Sequence, residues 1–435
     1  MSNLVIRQGF KFRLRPNAKQ AALMRQFAGC RRKVWNLALG EQQKRRELGE
    51  KYTCFAGMCK WLTAWRNGEE LGYLKSAPVH ALQSTLRDLD AAYQRFFRKQ
   101  GGFPSFQRKG QNDAFRETDV ACFEVDEASS RIKLPKLGWM RYRQSRLLSG
   151  QPKNVAISHD ALGWHVSIQT EREANNVLPE STRMGAADRG VTNFLALDSG
   201  ELVEPLNAHK TALHRLRRYQ RTCARKVEAQ KRELGITGAI PKGTKLPVSN
   251  RLMRSRQKLA RYSAKIARMR QDWLHKLSTR LADEHALFVL EDLRTKNMTK
   301  RAKGTTEATG TNVKQKTSLN RSILDQGWAM FATQLQYKLV HRGGQLLLIN
   351  PRNTSRTCSA CGYTDALNRH GEKFSCLACG QTDHADVNAA KNILAAGHAV
   401  LAGVTSGQAD VEDTVQSDRP TKRQPALEVE HVVRS

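Results

Sequence analysis

Residues 4–14 (LVIRQGFKFRL) partly alternate. Phe10, Phe12 and Leu14 fall on one side and Lys11 and Arg13 on the other, which predicts a strand. After Pro16 the period changes. Leu23, Phe27, Cys30, Val34 and Leu37 recur at helical spacing with Arg31, Arg32 and Lys33 between them, predicting a helix that ends near Gly49. A second helix is predicted over 79–98. Its stripe is Leu82, Leu86, Leu89, Tyr93 and Phe96, and its polar side carries Arg87, Arg95, Arg98 and Lys99. The loop 101–109 (GGFPSFQRK) sets Phe103 and Phe106 beside cations, so contact with nucleic acid and anchoring in the core are equally open. Short strands are predicted at 121–125, 131–134, 140–142, 154–158 and 164–169, punctuated by Gly138, Gly150 and Gly163. With the N-terminal strand they would close a small β-barrel.

The segment 184–200 reads as a strand carrying Asp188, a tight turn, a return strand and a Ser-Gly hairpin. An aspartate on a strand among small residues is costly to bury without a partner such as a metal ion; the alternative is a turn aspartate at the surface. From Leu213 to Leu281 two long helices flank a Gly/Pro-rich break at 235–247. Leu259, Tyr262, Ile266, Met269, Trp273, Leu277 and Leu281 form a packed seam on the second. Residues 287–290 (LFVL) predict a buried strand with Glu291 and Asp292 at its end. Residues 294–319 read as a polar, mobile loop, 325–340 as a helix and Gln345–Ile349 as a strand. After Gly397 the pattern is lost, and 401–435 reads as a disordered tail.

Charge sharpens this picture. Lys and Arg total 73 against 40 acidic residues in 435, a net +33 that repels itself unless a polyanion is met. The long helices are crowded with cations on their exposed sides, Arg254, Arg261, Lys265 and Arg268 among them, and few acids balance them. Phosphate contact is therefore favoured over a merely solvated face. No apolar run reaches the roughly 18 residues that would suggest a membrane span.

The region 353–394 joins two kinds of chemistry. Cys358, Cys361, Cys376 and Cys379 follow C-x2-C-x14-C-x2-C, with Gly362 and Gly380 after the pairs. Such pairs aim four thiolates at one Zn²⁺, a closed structural site. No secretory leader is recognised, so a reducing compartment is expected and paired disulfides are disfavoured. Cys30, Cys54, Cys59, Cys122 and Cys223 show no ligand spacing and are expected to be buried thiols. Asp386 opens a helix with Val387, Ala390 and Leu394 on its apolar side. On that stretch alone a capping role outweighs catalysis.

Asp188, Glu291 and Asp386 change that balance when taken together. Three acids brought together would repel unless they hold divalent cations, and Mg²⁺ prefers carboxylate and water oxygens. Strand hairpin, strand, then helix is the order in which RNase H-like nucleases present their acids. The sequence resembles the TnpB family, compact RNA-guided nucleases of bacterial insertion sequences related to type V CRISPR effectors. The resemblance spans most of residues 4–397. It is carried by FKFRLRPNAKQ with GCRRKVWNLAL, GFPSFQRK, AADRGVTNFLALDSG, FVLEDL, LNRSILDQGW, NPRNTSRTCSACG, and DVNAAKNIL after CLACG. Ala186-Ala187 depart from the branched residue usual before the aspartate, which implies a slightly looser first strand.

The resemblance implies an α+β multidomain fold. A wedge β-barrel would comprise 1–15 and 111–180, and a helical recognition domain 16–110. A RuvC-like, RNase H-like nuclease domain would comprise 181–352 and 383–400, with a zinc ribbon at 353–382. It assigns Asp188, Glu291 and Asp386 to a two-Mg²⁺ catalytic site, preferred to Asp292 and Asp383, and the four cysteines to Zn²⁺. It implies a guide RNA and target double-stranded DNA as partners, a monomer with its RNA, a cytoplasmic location, and cleavage next to a short target-adjacent motif. A compact CRISPR-like effector, a guided repressor without cleavage and a transposase joining DNA ends are the alternatives.

Overall fold

The computed structural model describes residues 4–403 apart from 112, 175–178, 242, 243, 245, 301, 303–309, 351 and 352. The tail from 404 on lies outside the described residues. The chain forms two compact units that divide between Asn175 and Asn176.

The first unit begins with β1 (Leu4–Arg15), followed by α1 (Ala18–Glu47), α2 (Phe55–Asn67) and α3 (Val79–Phe97). It continues through β2 (Ala114–Glu117), β3 (Glu124–Asp126), β4 (Arg131–Leu134), β5 (Gly138–Arg143), β6 (Gln151–Asp160) and β7 (Gly163–Ala174). Phe10, Phe12 and Leu14 are buried on one side of β1 as the alternation requires. Helix α1 starts on a capping box: Asn17 accepts from Gln20 N–H and the Gln20 side chain accepts from Asn17 N–H. The loop 101–109 is tied to α1 through Asn36, which exchanges two hydrogen bonds with Gln107, and through Trp35 Nε1, which donates to Ser105 O at 3.0 Å. The two open aromatics separate. Phe103 packs edge-on against Tyr93 and Phe96, while Phe106 is exposed.

Two expectations for this unit change, and one helix appears that the pattern did not predict. Helix α2 carries no long stripe and buries only Met58 and Leu62, so its pattern is too short to read. Residues 121–125 are only partly strand: Asp119 caps a 3-10 turn at Val120–Cys122 before β3. The barrel is an open seven-stranded sheet, ordered β2-β6-β7-β1-β5-β4-β3. Its edge strands have four and three residues, too little ladder to close it.

The second unit opens with β8 (Met184–Asp188), β9 (Leu195–Leu197) and β10 (Leu202–Val203), then α4 (Ala208–Glu233), α5 (Asn250–Glu284) and β11 (Leu287–Glu291). It continues with α6 (Thr295–Met298), α7 (Val313–Gln326), α8 (Trp328–His341) and β12 (Gln345–Ile349). Last come β13 (Arg369–His370), β14 (Lys373–Ser375), β15 (Thr382–His384) and α9 (Ala385–Leu401). The main sheet is ordered β10-β9-β8-β11-β12. The β8–β9–β10 meander is antiparallel, and β8, β11 and β12 run parallel.

Both faces of that sheet are covered, which is why 287–290 reads as a continuous apolar run. Ala187, Leu195, Leu197, Phe288 and Leu290 pack with α5 and α8, including Leu281, Phe331 and Leu335. Ala186, Val289 and Ile349 pack with Ile393 of α9. Helices α4 and α5 extend from the sheet as a pair joined by Leu216, Ile266 and Tyr262.

The polar loop expected at 294–319 contains α6 and the first turns of α7; its residues 301 and 303–309 lie outside the described set. The helix expected over 325–340 is two. Gly327 adopts a left-handed φ of 73°, ending α7 and starting α8. Met269 is exposed, not in the seam. Helix α5 changes partners between Ile266, packed on α4, and Leu274, packed with α8, and Arg270 takes the position between them. Its guanidinium is bonded to buried Asp325, which also accepts from His209 and Lys210 N–H at the start of α4. Of the five unassigned cysteines only Cys30 is buried; Cys54 is exposed and the others are half-buried.

Helix α9 lies close against the sheet because Gly397 has no side chain. A Cβ there would stand 2.5 Å from Val289 Cγ2. Gly397→Val is expected to destabilise the protein by about 1–3 kcal/mol through overpacking. Gly40→Ala, in α1 with nothing within 4 Å of the added carbon, should instead stabilise by about 0.5–1 kcal/mol. Urea midpoints of the two variants that move in the same direction would contradict this packing.

Candidate active site and cysteine ribbon

Strand parity decides where the acids on β8 and β11 point. Side chains alternate, so Asp188 shares a face with Ala186, and Glu291 shares a face with Val289. Ala186 and Val289 both pack with α9. The strands pair in parallel with Ala187 opposite Leu290, so the next residues, Asp188 and Glu291, leave the sheet side by side at its C-terminal edge. Asp292 falls on the other parity and is exposed. Asp386 stands in the first turn of α9.

Three elements thus direct three carboxylates to one region, and Asp188 feels the charge of the other two. Burial first, then the negative charges of Glu291 and Asp386, push the Asp188 carboxyl up to about 7. Burial also raises Glu291, although Thr354 Oγ1 donates to its Oε1 at 2.6 Å. Glu291 is 7% exposed. The donor set is all oxygen, the set that Mg²⁺ or Mn²⁺ takes and Zn²⁺ does not favour.

Asp386 is not the helix cap that its position suggests. His384 caps α9, its Nδ1 accepting from Asp386 N–H at 3.3 Å. The Asp386 carboxylate is left to face Arg369, whose Nη2 lies 2.8 Å from Oδ1. Asp383 is engaged elsewhere, with Lys391 Nζ at 2.6 Å. Two cations went unnoticed in the sequence. Arg369 comes from β13 of the ribbon. Arg189 is buried and donates through Nη2 to the Glu291 carbonyl, while its Nε is buried with no hydrogen-bond partner. Nothing at sequence level marks Arg369, because only the folded ribbon brings it back to Asp386. Arg189 could have been suspected from its place next to Asp188.

The ribbon is built around the four cysteines. Their sulfurs all lie within 4.8 Å of one another, with Cys358–Cys379 at 3.7 Å and Cys361–Cys376 at 3.6 Å. Each pair closes a tight turn. Gly362 N–H reaches Cys358 O, and Gly380 N–H reaches Cys376 O, with φ of 77° and 74° that glycine adopts without strain. Backbone N–H groups of Cys379 and Ala378 hold the Cys376 thiol down, while the neighbouring sulfurs of Cys379, Cys376 and Cys358 push Cys361 up, a conflict that a bound cation would relieve. These residues fit a tetrahedral zinc.

The ribbon and the acid site share one network. Asn388 and Asn392, one turn apart on α9, bind the backbone on either side of Cys358. Asn388 Oδ1 accepts from Ser359 N–H and its Nδ2 donates to Thr357 O. Asn392 Nδ2 donates to the carbonyls of Thr354 and Thr357. Thr354 in turn holds Glu291. The motif DVNAAKN therefore docks the ribbon as well as carrying an acid.

Basic residues gather in both units. On α5, Arg254, Arg261 and Lys265 are exposed and Arg268 is half-buried, all at spacings that keep one helical side. Arg270, on the same helix, belongs instead to the Asp325 pair. On the sheet of the first unit, Arg13 faces Arg143 and Arg15 faces Arg141 across neighbouring strands. Arg13, Arg15 and Arg143 border a cleft of about 460 Å³ with Gly163 and Trp164. Like charges directly opposite are unfavourable unless an anion joins them.

The second unit is thus that of an α+β protein pairing a carboxylate cluster with a four-cysteine ribbon. Comparisons with known proteins bear on the family of the chain. Residues 165–302 match the family described as "Probable transposase", 328–393 match "Cas12f1-like, TNB domain", and 1–51 match a "Helix-turn-helix domain". The chain is 44% identical over 419 residues, 96% of this chain and 97% of the relative, to the "Putative RNA-guided DNA endonuclease InsQ" of Escherichia coli K12. It is 31% identical, over 91% of each chain, to the "Putative RNA-guided DNA endonuclease" of Streptomyces pristinaespiralis. Among solved structures, a Cas12f1–sgRNA–target DNA complex aligns with a TM-score of 0.47 at 14% identity, covering 87% of this chain and 83% of that one. The chain belongs to the TnpB family.

The raised carboxyl gives a pH test. A folded pKa of about 7 for Asp188 against an ordinary value near 4 means that its contribution is intact below pH 4 and is lost as pH rises through 7. In buffer without Mg²⁺ but with zinc retained, Asp188→Asn should be more stable than wild type at pH 8 by about 2–4 kcal/mol and nearly equal to it at pH 4. A gap that is the same at both pH values in urea unfolding would contradict the coupling.

Proposed function

We propose that the chain is an RNA-guided DNA endonuclease encoded by a transposable element, cutting target DNA beside a short adjacent motif. The observation that carries this is the charge-coupled trio Asp188, Glu291 and Asp386, on the face shared by β8, β11 and α9. Full-length relatives named as RNA-guided DNA endonucleases support it.

In this reading the second unit holds an RNase H-like, RuvC-type nuclease, and Asp188, Glu291 and Asp386 would bind two Mg²⁺ ions. When bound, such a pair supplies charge to both the attacking and the leaving oxygen of a phosphodiester. The chain's own residues prepare that place. Asp188 and Glu291 hold their carboxylates at the end of a rigid sheet, and Thr354 fixes one oxygen of Glu291. Arg369 is positioned to neutralise Asp386 or, released from it, to meet a phosphate. The cysteine ribbon would carry a structural Zn²⁺ and keep Arg369 in place.

The excess of cations serves the partners. Guide RNA and target double-stranded DNA would be held mainly through phosphates, with Arg254, Arg261, Lys265 and Arg268 on α5 and the facing arginines of the seven-stranded sheet as contacts. Sequence would be read by base pairing. The first unit would supply the wedge sheet and the recognition helices of residues 16–110, and a monomer would act with its RNA in the bacterial cytoplasm. No helix among the described residues is long and apolar enough to cross a membrane.

Asp188→Ala, Glu291→Ala and Asp386→Ala should each abolish cleavage of guide-matched DNA and leave binding intact. A double substitution should be no worse than a single, because the acids act as a unit. Asp292→Ala and Asp383→Ala should retain most activity. Loss of cutting in either of these, with cutting preserved in Glu291→Ala or Asp386→Ala, would overturn the assignment. Wild-type protein that binds guided DNA in Mg²⁺ and never cuts it would replace the nuclease with a guided repressor.

A further inference from the structure

A second group of ligand-type side chains lies in the first unit, away from any motif of the sequence. His80 stands in the first turn of α3, and Asp119 caps the 3-10 turn that ends in Cys122. His80 Nε2 is 3.5 Å from Asp119 Oδ2, and Cys122 Sγ is 3.5 Å from the same oxygen. One donor atom from each of the three lies within 4.8 Å of the others. For Zn–N, Zn–O and Zn–S bonds of ordinary length, the edges of a ligand tetrahedron come to about 3.4–3.6 Å. The two measured separations fall in that range.

Glu117 supplies an independent observation. It is 2% exposed, the last residue of β2. Its Oε1 accepts from the N–H groups of Thr118 and Asp119, while Oε2 is buried with no hydrogen-bond partner. A buried carboxylate oxygen without a donor is costly, and a cation beside it removes the cost.

We infer that His80, Asp119 and Cys122 form a second zinc site, separate from the four-cysteine ribbon, with the buried carboxylate of Glu117 as a neighbouring negative charge and solvent completing the ligand set. Imidazole, thiolate and carboxylate together select a borderline-soft cation, Zn²⁺ rather than Mg²⁺. On binding, the Cys122 S–H bond breaks, a sulfur–zinc bond forms and the proton leaves to solvent. The site would staple the turn after β2 to the start of α3. The side chains of His80 and Asp119 are 39% and 40% exposed, so the ion can enter from solvent.

The test is the zinc content of the full-length protein after equilibration in buffered micromolar free Zn²⁺. Wild type should carry two ions per chain, and His80→Ala and Cys122→Ser one each. Glu117→Gln, of the same size, should weaken the second ion at least about tenfold. In Co²⁺-loaded protein, the absorption of the mixed-ligand site should vanish in Cys122→Ser while the four-thiolate band of the ribbon persists, which also reports that the chain is folded. A single ion in wild type would overturn the inference, as would a second ion that survives in the His80→Ala/Cys122→Ser double variant.

Discussion

The repulsion that Glu291 and Asp386 exert on Asp188, in a site where Glu291 is buried and the other two acids are half-buried, is the constraint on which the second unit depends. Left in water, Asp188, Glu291 and Asp386 would separate; the fold holds them near one another with Asp188 at the middle. Such a placement needs rigid supports. The parallel pairing of β8 and β11 fixes the first two, and the close packing of α9 on Val289 through Gly397 fixes the third. The nearby cations answer the same repulsion: Arg369 meets Asp386, and Arg189 lies behind Glu291. A site arranged in this way is costly for the folded chain without metal and favourable to a divalent cation. The ribbon belongs to this arrangement. Through Asn388, Asn392 and Thr354 it is bound to the helix that carries one acid and to the side chain of another.

Much of this was legible in the sequence, for reasons that can be traced to particular residues. The strands β1, β8, β11 and β12 announce themselves because each has a side buried by other elements, so their apolar residues are forced into short runs or alternation. The cysteine pairs are legible because a metal demands their spacing. The acids were legible as a set only through the family resemblance. Once the strands are placed, however, parity alone separates Glu291 from Asp292.

What stayed hidden depends on partners distant in the chain. Helix α2 buries two residues fully, and that is too weak a stripe to see. The seam of α5 breaks at Met269 because the helix leaves α4 for α8, and the pattern cannot know that Arg270 will meet Asp325 there. Asp386 looks like a cap because a carboxylate at a helix start usually is one, yet His384 takes that role. Arg369 becomes part of the site only when the ribbon folds. The facing arginines of β1 and β5 alternate innocently in sequence and become unfavourable only in register.

The central claim is that Asp188, Glu291 and Asp386 hold divalent cations in one place. It is tested most directly by exchanging Mg²⁺ for Fe²⁺ in the folded protein and letting ascorbate and peroxide generate hydroxyl radicals at the bound ion. The polypeptide should then be cut near residues 188, 291 and 386 together, with one common dependence on Fe²⁺. All three cuts should be suppressed by excess Mg²⁺ and by Asp188→Asn. Cutting at one of these positions alone, or at three positions with independent Fe²⁺ dependences, would contradict a shared site.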